Sequence, residues 1–145
     1  MKTLFDTSVI IAALVEAHPM HQRAFPRLKQ AKEKDDFELI VAGHTVAELY
    51  AVLSTLPTKP RISPAVAWRL IHENIEAAAK IVSLTAAEYS AVIKKISEMG
   101  LAGGITYDAL IAKVAEKSKV EQLLTLNPDH FKRVWPEGEK IIVSP

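Results

Sequence analysis

The sequence contains no cysteine, which excludes disulfide bonds and metal sites built from thiolates. Any metal ion must therefore be held by oxygen or imidazole ligands, and such a donor set favours Mg²⁺ or Mn²⁺ over structural zinc. The absence of cysteine is also consistent with a reducing compartment, so we expect a cytoplasmic protein.

The chain also lacks a hydrophobic run of membrane-spanning length. Its longest uncharged apolar run, residues 9–15, is far shorter than the roughly 20 residues needed to cross a bilayer. The run is a poor signal-peptide core as well, because only Lys2 precedes it, Asp6 interrupts the approach and Glu16-Ala17-His18 is a poor cleavage site. We expect no membrane association and an N-terminus that is part of the fold.

Neither sign of charge is in excess, since 18 lysines and arginines face 17 aspartates and glutamates. The formal net charge of +1 creates no overall field that would attract nucleic acid. Basic residues do cluster locally, but solvated helix faces explain most such clusters. Nucleic-acid binding must therefore be argued from a particular site.

Hydrophobic residues are plentiful, at 49% of the 145 residues, which is ample for one sizeable core. A chain of this length fits one domain, and we predict a single domain over residues 1–145. No internal repeat, low-complexity segment or interdomain linker interrupts it.

Apolar strand-like runs alternate with helical patterns along the whole chain. The predicted strands lie at residues 2–6, 38–42, 80–84, 122–126 and 140–143. The predicted helices lie at residues 8–16, 20–34, 45–56, 64–78, 85–99, 106–117 and 128–134. Such alternation is typical of a parallel sheet covered on both faces. We predict the α/β class, as a three-layer α/β/α sandwich whose central, mostly parallel sheet has four to five strands.

Asp6 stands between two apolar runs, at the predicted carboxyl end of the first strand. In an open parallel sheet this edge is where ligands bind, so Asp6 is a candidate ligand for a metal ion. Aspartate is also a common helix N-cap, and position alone does not separate the two roles. Thr7 or Ser8 could cap the helix instead and leave the carboxylate free.

Glu48 and Asp108 are equally out of place on their own helices. In "HTVAELYAVL" Glu48 has only apolar residues three and four positions further on, although burying an unpaired carboxylate is very costly. In "GGITYDALIAKVAEK" Asp108 likewise faces Ala112 and lies away from the polar face of its helix. A partly exposed Glu48 and a capping Asp108 are the ordinary alternatives, although Thr106 is the better-placed cap.

Three separated acids would meet at one edge of the sheet if the strand order reverses between the first and fourth strands. Carboxylates gathered there repel one another unless a cation neutralises them. Mg²⁺ or Mn²⁺ suits such hard oxygen ligands together with substrate phosphate. The spacing permits a metal-dependent phosphodiesterase.

Four stretches in order resemble the PIN-domain ribonucleases, specifically the VapC-type toxins of prokaryotic toxin–antitoxin modules. They are "FDTSVIIAAL", "TVAELYAVL", "GGITYDALIAKVAEK" and "LLTLNPDHF", and the likeness covers nearly the whole chain. The resemblance implies an α/β/α sandwich and an endoribonuclease that depends on Mg²⁺ or Mn²⁺. It also implies RNA as substrate, a cognate antitoxin protein as partner, and a homodimer.

Carried over by position, the resemblance makes Asp6, Glu48 and Asp108 the metal-binding acids. Many relatives have a fourth acid where this chain has Asn127, which offers a carbonyl oxygen but no charge. We therefore expect one tightly held ion, with a second recruited mainly by substrate phosphate. Ser8 and Thr125 are the expected supporting hydroxyls, whereas the offset of Asp129 from the motif makes it a doubtful replacement ligand.

Several other residues near the motifs have an ordinary and a functional interpretation. For His44 and His130 we favour a structural role over catalysis, and for Tyr107 we favour packing over stacking on a base. Trp68 and Trp135 are expected in the core or an interface. The best candidates for positioning phosphate are the basic residues that flank the third and fourth motifs, namely Lys113, Lys117, Lys132 and Arg133.

Two other functions remain open from the sequence. A receiver-like domain would make Asp6 a phosphoacceptor, but it would need an acid pair near the first strand and an aspartate ending a middle strand, and "ELIVAGHT" supplies neither. A non-catalytic PIN-like RNA-binding protein would keep the fold without the activity. The three acids argue against that alternative, and Asn127 is the feature that favours it.

Overall fold

The computed structural model describes all 145 residues and contains a five-stranded sheet in which every neighbouring pair is parallel. The strands are β1 (Lys2–Phe5), β2 (Glu38–Ala42), β3 (Lys80–Val82), β4 (Gln122–Leu124) and β5 (Ile142–Val143). Their spatial order is β3-β2-β1-β4-β5. The predicted α/β class with a parallel sheet of up to five strands is confirmed.

Seven α-helices connect and cover the strands. They are α1 (Thr7–Leu14), α2 (His21–Glu33), α3 (Gly43–Leu53), α4 (Pro64–Ile71), α5 (Ala86–Glu98), α6 (Ile105–Ser118) and α7 (Pro128–Val134). A π-helical turn over His72–Glu76 follows α4, and a 3₁₀ turn over Pro136–Ile141 leads into β5. None of the helices has the length and apolar character needed to cross a membrane.

Local sequence signals set several helix ends as expected. The Thr85 side chain accepts a hydrogen bond from the backbone N–H of Glu88, and the Glu88 carboxylate accepts one from the Thr85 N–H, which completes a capping box at the start of α5. Ser63 caps α4 through the N–H of Val66. Gly100 has a φ of +72°, so the chain leaves α5 through a conformation that suits glycine.

Side chains alternate between two cores on opposite faces of the sheet. Phe5, Val41 and Leu124 pack with α1, α2, α3 and α4 on one face. Leu4 and Leu123 pack with α5, α6 and α7 on the other face. Both faces of the sheet are therefore buried, which explains why its central strands read as continuous apolar runs.

The two tryptophans differ from each other. Trp135 belongs to the core beside α6 and α7, as expected. Trp68 is 55% exposed and stacks on His72, with ring centroids 4.8 Å apart, so it is not in the core, and its place in an interface stays a prediction. The apolar face of α4 passes through Ala67 and Ile71 instead, which places Trp68 on the outer side of the helix.

Most predicted elements begin or end a few residues away from their observed bounds, and three of these differences are informative. The helix predicted over residues 64–78 changes to a π-helical turn at His72, and one wider turn leaves no mark in a hydrophobic pattern. The last strand is shortened by the 3₁₀ turn, in which a side chain on Gly138 would lie 2.4 Å from the Trp135 ring. The fourth strand ends at Leu124, and the next two residues form hydrogen bonds to side chains after β1, Thr125 to Asp6 and Leu126 to Ser8.

The order of the strands creates a crevice between β1 and β4. The chain builds outward from β1 to β2 and β3, then crosses over to place β4 and β5 on the other side of β1. The reversal of strand order on which convergence of the three acids depended is therefore present. Phe5 pairs with Leu124 in the ladder, so Asp6 and Thr125 leave the sheet side by side at its carboxyl edge.

Candidate active site

Asp6 is a buried acid at the centre of the crevice, with 4% of its surface exposed. Its Oδ2 atom accepts hydrogen bonds from the Ser8 hydroxyl at 2.7 Å and from the Thr125 hydroxyl at 2.8 Å. Burial raises the pKa of Asp6 above its usual range, and these two hydroxyls and the nearby backbone N–H groups of Thr7 and Ser8 oppose that rise. Two hydroxyl donors therefore support a carboxylate that burial disfavours.

The helix-cap interpretation of Asp6 does not hold. Asp6 occupies the N-cap position of α1, but its side chain makes no capping hydrogen bond. Nor do Thr7 and Ser8 take over the cap, contrary to the expectation from sequence. Ser8 donates to Asp6 and accepts from the N–H of Leu126 at 3.0 Å, while Thr7 contacts Glu48, so both hydroxyls serve the acids instead.

Glu48 projects from α3 beside Asp6, and its side chain is 32% exposed. The Thr7 hydroxyl lies 3.1 Å from Oε1 of Glu48 and 3.1 Å from the hydroxyl of the buried Thr45. A hydroxyl carries one proton, so Thr7 donates to the carboxylate when Thr45 donates to Thr7. Nε2 of His44 lies 3.4 Å from the same Glu48 oxygen without hydrogen-bond geometry, and this buried nitrogen has no other partner.

Asp108 completes the acidic cluster from the first turn of α6. Its side chain is 22% exposed, and its Oδ2 lies 3.4 Å from Nδ1 of His130 on α7. Burial first, then the charge of Asp6 and that of Glu48, raise the pKa of Asp108 to about 6, while His130 opposes the rise. The three acids therefore share one electrostatic neighbourhood, and we define them as the acidic cluster: Asp6, Glu48 and Asp108.

The alternative that Asp108 caps its helix is wrong, and so is the expectation that Thr106 does. The helix α6 begins at Ile105, with Gly104 at the N-cap and no side-chain cap. Asp108 therefore lies inside the first turn, where its carboxylate faces the positive end of the helix dipole.

The acidic cluster has the chemistry of a divalent cation site. All of its ligand atoms are oxygens, no lysine or arginine forms an ion pair with any of the three acids, and Oδ1 of Asp6 accepts no hydrogen bond from another side chain. Burial raises the pKa of Asp6 and of Asp108, and no lysine or arginine offsets this rise. The residues therefore fit Mg²⁺ or Mn²⁺.

The acidic cluster is not arranged as a finished cage. No three acidic or histidine side chains in the structure are positioned to hold one ion together. Glu48 and Asp108 are engaged with His44 and His130 instead, at 3.4 Å each. A cation would thus compete with two histidines for two of the carboxylates.

The fourth corner of the site is built by the segment after β4. The backbone N–H of Asn127 donates to the Thr125 hydroxyl at 2.9 Å, and that hydroxyl in turn donates to Asp6. The Asn127 side chain is exposed and does not cap α7, although it stands at the N-cap position. Asp129 is exposed in the first turn of α7.

The basic candidates are spread over a wider surface than the acids. Lys113 lies 3.3 Å from Glu116, beside a hollow of about 240 Å³ between α5, α6 and Trp135 that none of the three acids lines. Lys117 donates to Glu88 and to the carbonyl of Ser83. Lys132 and Arg133 lie in the last turn of α7. The structure brings none of the four into contact with the acids.

Sequence reasoning missed the two histidines as partners of the acids. His44 and Glu48 are four residues apart on one helix, a spacing that could have predicted their contact. No local signal links His130 to Asp108, because they lie on different helices. The Thr7–Thr45 contact is also long-range and left no mark in the pattern.

Comparisons with known proteins give consistent matches. A family model described as PIN domain matches residues 3–135. Ribonuclease VapC27 of Mycobacterium tuberculosis is 33% identical over 116 residues, which cover 80% of this chain and 78% of the relative.

Two solved structures share the fold. VapBC2 from Rickettsia felis, bound to a DNA fragment from their promoter, aligns over 99% of this chain and 98% of its own with a TM-score of 0.67 and 20% identity. VapC20 of Mycobacterium tuberculosis, described as a sarcin-ricin loop cleaving toxin, aligns over 83% of this chain and 86% of its own with a TM-score of 0.65 and 16% identity.

Replacing Thr125 with valine should destabilise the protein by about 1–3 kcal/mol at neutral pH, because the buried Asp6 carboxylate loses one of its two hydroxyl donors. Thr125→Ser keeps the hydroxyl and should retain most of the stability. Urea denaturation of the three proteins checks this. Equal stability of Thr125→Val and the wild type would show that the hydrogen bond contributes nothing.

Replacing Asp108 with asparagine should stabilise the metal-free protein at pH 7. The pKa of Asp108 is about 6 in the folded state against an ordinary 3.8, so the folded protein binds more protons between these values. The folded protein is therefore most stable, as far as Asp108 is concerned, below pH 4, where this side chain is protonated. That part of its stability is lost as the pH rises to about 6. Asparagine escapes that loss, with an expected gain of about 1–3 kcal/mol.

The measurement is denaturation in EDTA at several pH values for the wild type, Asp108→Asn and the control Asp35→Asn. Asp35 is exposed and lies at the opposite edge of the sheet, just before β2. The difference between Asp108→Asn and wild type should grow from near zero at pH 4 to its full size above pH 6. A difference that does not change with pH would contradict the argument.

Proposed function

The chain belongs to the PIN domain family, and on that premise we propose that it is an endoribonuclease that depends on Mg²⁺ or Mn²⁺ and acts as the toxin of a toxin–antitoxin pair. We further propose that residues 1–145 form one PIN-like domain and that the protein acts in the cytoplasm. Its substrate is RNA, whose phosphodiester bonds it hydrolyses.

The observation that carries the metal dependence is the acidic cluster without a cationic side chain. Burial first, and then the charges of Asp6 and Glu48, raise the pKa of Asp108, and only two histidines lie beside the acids. A divalent ion, when bound, would neutralise these carboxylates and polarise a phosphoryl oxygen of RNA. Asp6, Asp108 and Glu48 are the residues that would hold it.

The protein's own contribution is to orient these acids. Ser8 and Thr125 hold one oxygen of Asp6 and leave the other available, and Thr7 fixes Glu48. The buried floor of the crevice excludes water from around Asp6. Hydroxyl partners behind a metal ligand of this kind fix its orientation and tune its charge.

The ribonuclease activity is supported by the relatives. The protein that is 33% identical is a ribonuclease, and one protein of the same fold is a toxin that cleaves the sarcin-ricin loop. These likenesses favour a nuclease over a non-catalytic RNA-binding protein. A phosphoacceptor role for Asp6 is disfavoured because the carboxylate is 4% exposed and one oxygen already accepts two hydrogen bonds.

We propose a cognate antitoxin and a second copy of the chain as protein partners. The likeness to VapBC2 from Rickettsia felis supports a partner of the antitoxin kind. In the site we assign Asn127 to the fourth ligand position and Lys113 and Arg133 to contacts with RNA phosphates.

Replacing Asp6 with asparagine should reduce RNA cleavage by more than about 100-fold, since even an outer partner of a metal ligand is worth 10–100-fold. Cleavage by the wild type should stop in EDTA and return with Mg²⁺ or Mn²⁺. The measurement is the rate at which a labelled single-stranded RNA is cut.

Asp35→Asn, purified in the same way, is the control and should cut at the wild-type rate. Cleavage that persists unchanged in Asp6→Asn, in preparations shown to be free of contaminating nuclease, would refute the proposal. Metal binding without any RNA turnover would favour the non-catalytic alternative.

Replacing Asn127 with aspartate should add a second metal site of measurable strength. The wild type offers three carboxylates, so calorimetric titration with Mn²⁺ should show one tight site. The variant restores a fourth negative charge at the end of β4, and an additional charged ligand strengthens the binding of hard cations. Two sites of comparable tightness in the wild type would contradict the single-ion proposal.

A further inference from the structure

An aromatic pair bridges the two helices that carry Glu48 and Asp108. His44 lies in the first turn of α3, and Tyr107 lies in the first turn of α6, directly before Asp108. Their rings are almost parallel, at 6°, with centroids 4.8 Å apart. The same His44 ring reaches to within 3.4 Å of Glu48, so the pair adjoins the acidic cluster.

The side chain of Tyr107 is more exposed to solvent than that of Asp108, which follows it in sequence. It is 49% exposed, contrary to the packing that sequence favoured, and it makes no side-chain hydrogen bond. Single exposed aromatic residues are common and need no explanation. What distinguishes Tyr107 is that its ring stacks on the ring of His44, which in turn adjoins Glu48.

The space behind His44 is too small for a base. The hollow lined by Gly43, His44, Ser83 and Tyr89 has a volume of about 50 Å³, which suits a few water molecules. The hollow therefore cannot take a base, and the exposed part of the Tyr107 ring is the surface of this pair that a base can contact.

We propose that Tyr107, stacked on His44, is a platform for one unstacked nucleobase of single-stranded RNA next to the scissile phosphate. This rests on the proposed function and adds a subsite to it. Bases splayed out of single strands stack on aromatic side chains, and stacking tolerates any base because each has a π-face. A base held here places the adjoining phosphate beside Asp108 and Glu48. Tyr107 is thus a positioning residue.

The competing explanation is a structural clip between α3 and α6. A clip would lower the stability of the protein when removed, and it would reduce the cleavage of every RNA by the same factor. A platform instead predicts a dependence on one particular base. The test must therefore couple the tyrosine to a base.

The experiment is a double-mutant cycle between Tyr107 and the RNA. A labelled, unstructured RNA of about 12 nucleotides is made in versions with an abasic nucleotide at each successive position. Cleavage efficiency, kcat/KM, and the dissociation constant are measured with wild type and with Tyr107→Leu.

At one position the abasic nucleotide should lower the kcat/KM of the wild type by about 5- to 100-fold. Tyr107→Leu should lower kcat/KM by a similar factor on the intact RNA and should cause no further loss on the RNA that is abasic at that position. Tyr107→Phe keeps the ring and should behave as wild type. Tyr50→Leu is the matched control, because Tyr50 is a comparably exposed tyrosine on α3 and its loss should leave the abasic effect intact.

The outcomes separate this inference from the nuclease proposal. If the wild type cuts RNA but the losses caused by Tyr107→Leu and by the abasic nucleotide multiply at every position, the platform is wrong and the nuclease proposal is unaffected. If RNA is never cut, but the dissociation constants show that Tyr107→Leu and one abasic nucleotide remove the same interaction, the platform is supported and the nuclease proposal is wrong. Absence of both binding and cleavage would overturn both.

Discussion

The burial of acidic side chains without a lysine or arginine to neutralise them is the constraint on which this molecule is organised. Burial raises the pKa of Asp6 and of Asp108, and the charges of Asp6 and Glu48 raise that of Asp108 further. The chain offsets part of this rise with hydroxyl donors to Asp6 and with the positive ends of the helices that begin at the same edge. The negative charge that these groups do not offset would attract a cation from solution.

The sheet makes this arrangement possible. Asp6 and Thr125 lie 119 residues apart in sequence, yet the parallel pairing of β1 with β4 delivers them to adjacent places. The backbone continues the pairing one step further, since the N–H of Asp6 donates to the carbonyl of Leu124 at 2.9 Å. The hydroxyl that supports the acid is thereby positioned by the same ladder that holds the core together, so site and fold share one set of hydrogen bonds.

The sequence predicted what is local and missed what is long-range. Apolar runs bounded by turn residues marked all five strands, and acids that break their own helix pattern marked Asp6, Glu48 and Asp108 as candidates. The roles of Thr7 and Ser8 were predicted wrongly, because a hydroxyl at a helix start serves as a cap only when no better acceptor lies across the fold. The contact of His130 with Asp108 depends on how α7 returns to α6, which no local pattern encodes.

The exposure of Tyr107 follows from the accessibility of the acids themselves. Asp6 forms the closed floor of the crevice, so anything that reaches the cluster must approach past Asp108 and Glu48, whose side chains remain 22% and 32% exposed. A core-like burial of Tyr107 would require a cover over the first turn of α6 and would close that approach. Tyr107 remains exposed in this first turn, and its ring stacks on that of His44 instead of packing into the core.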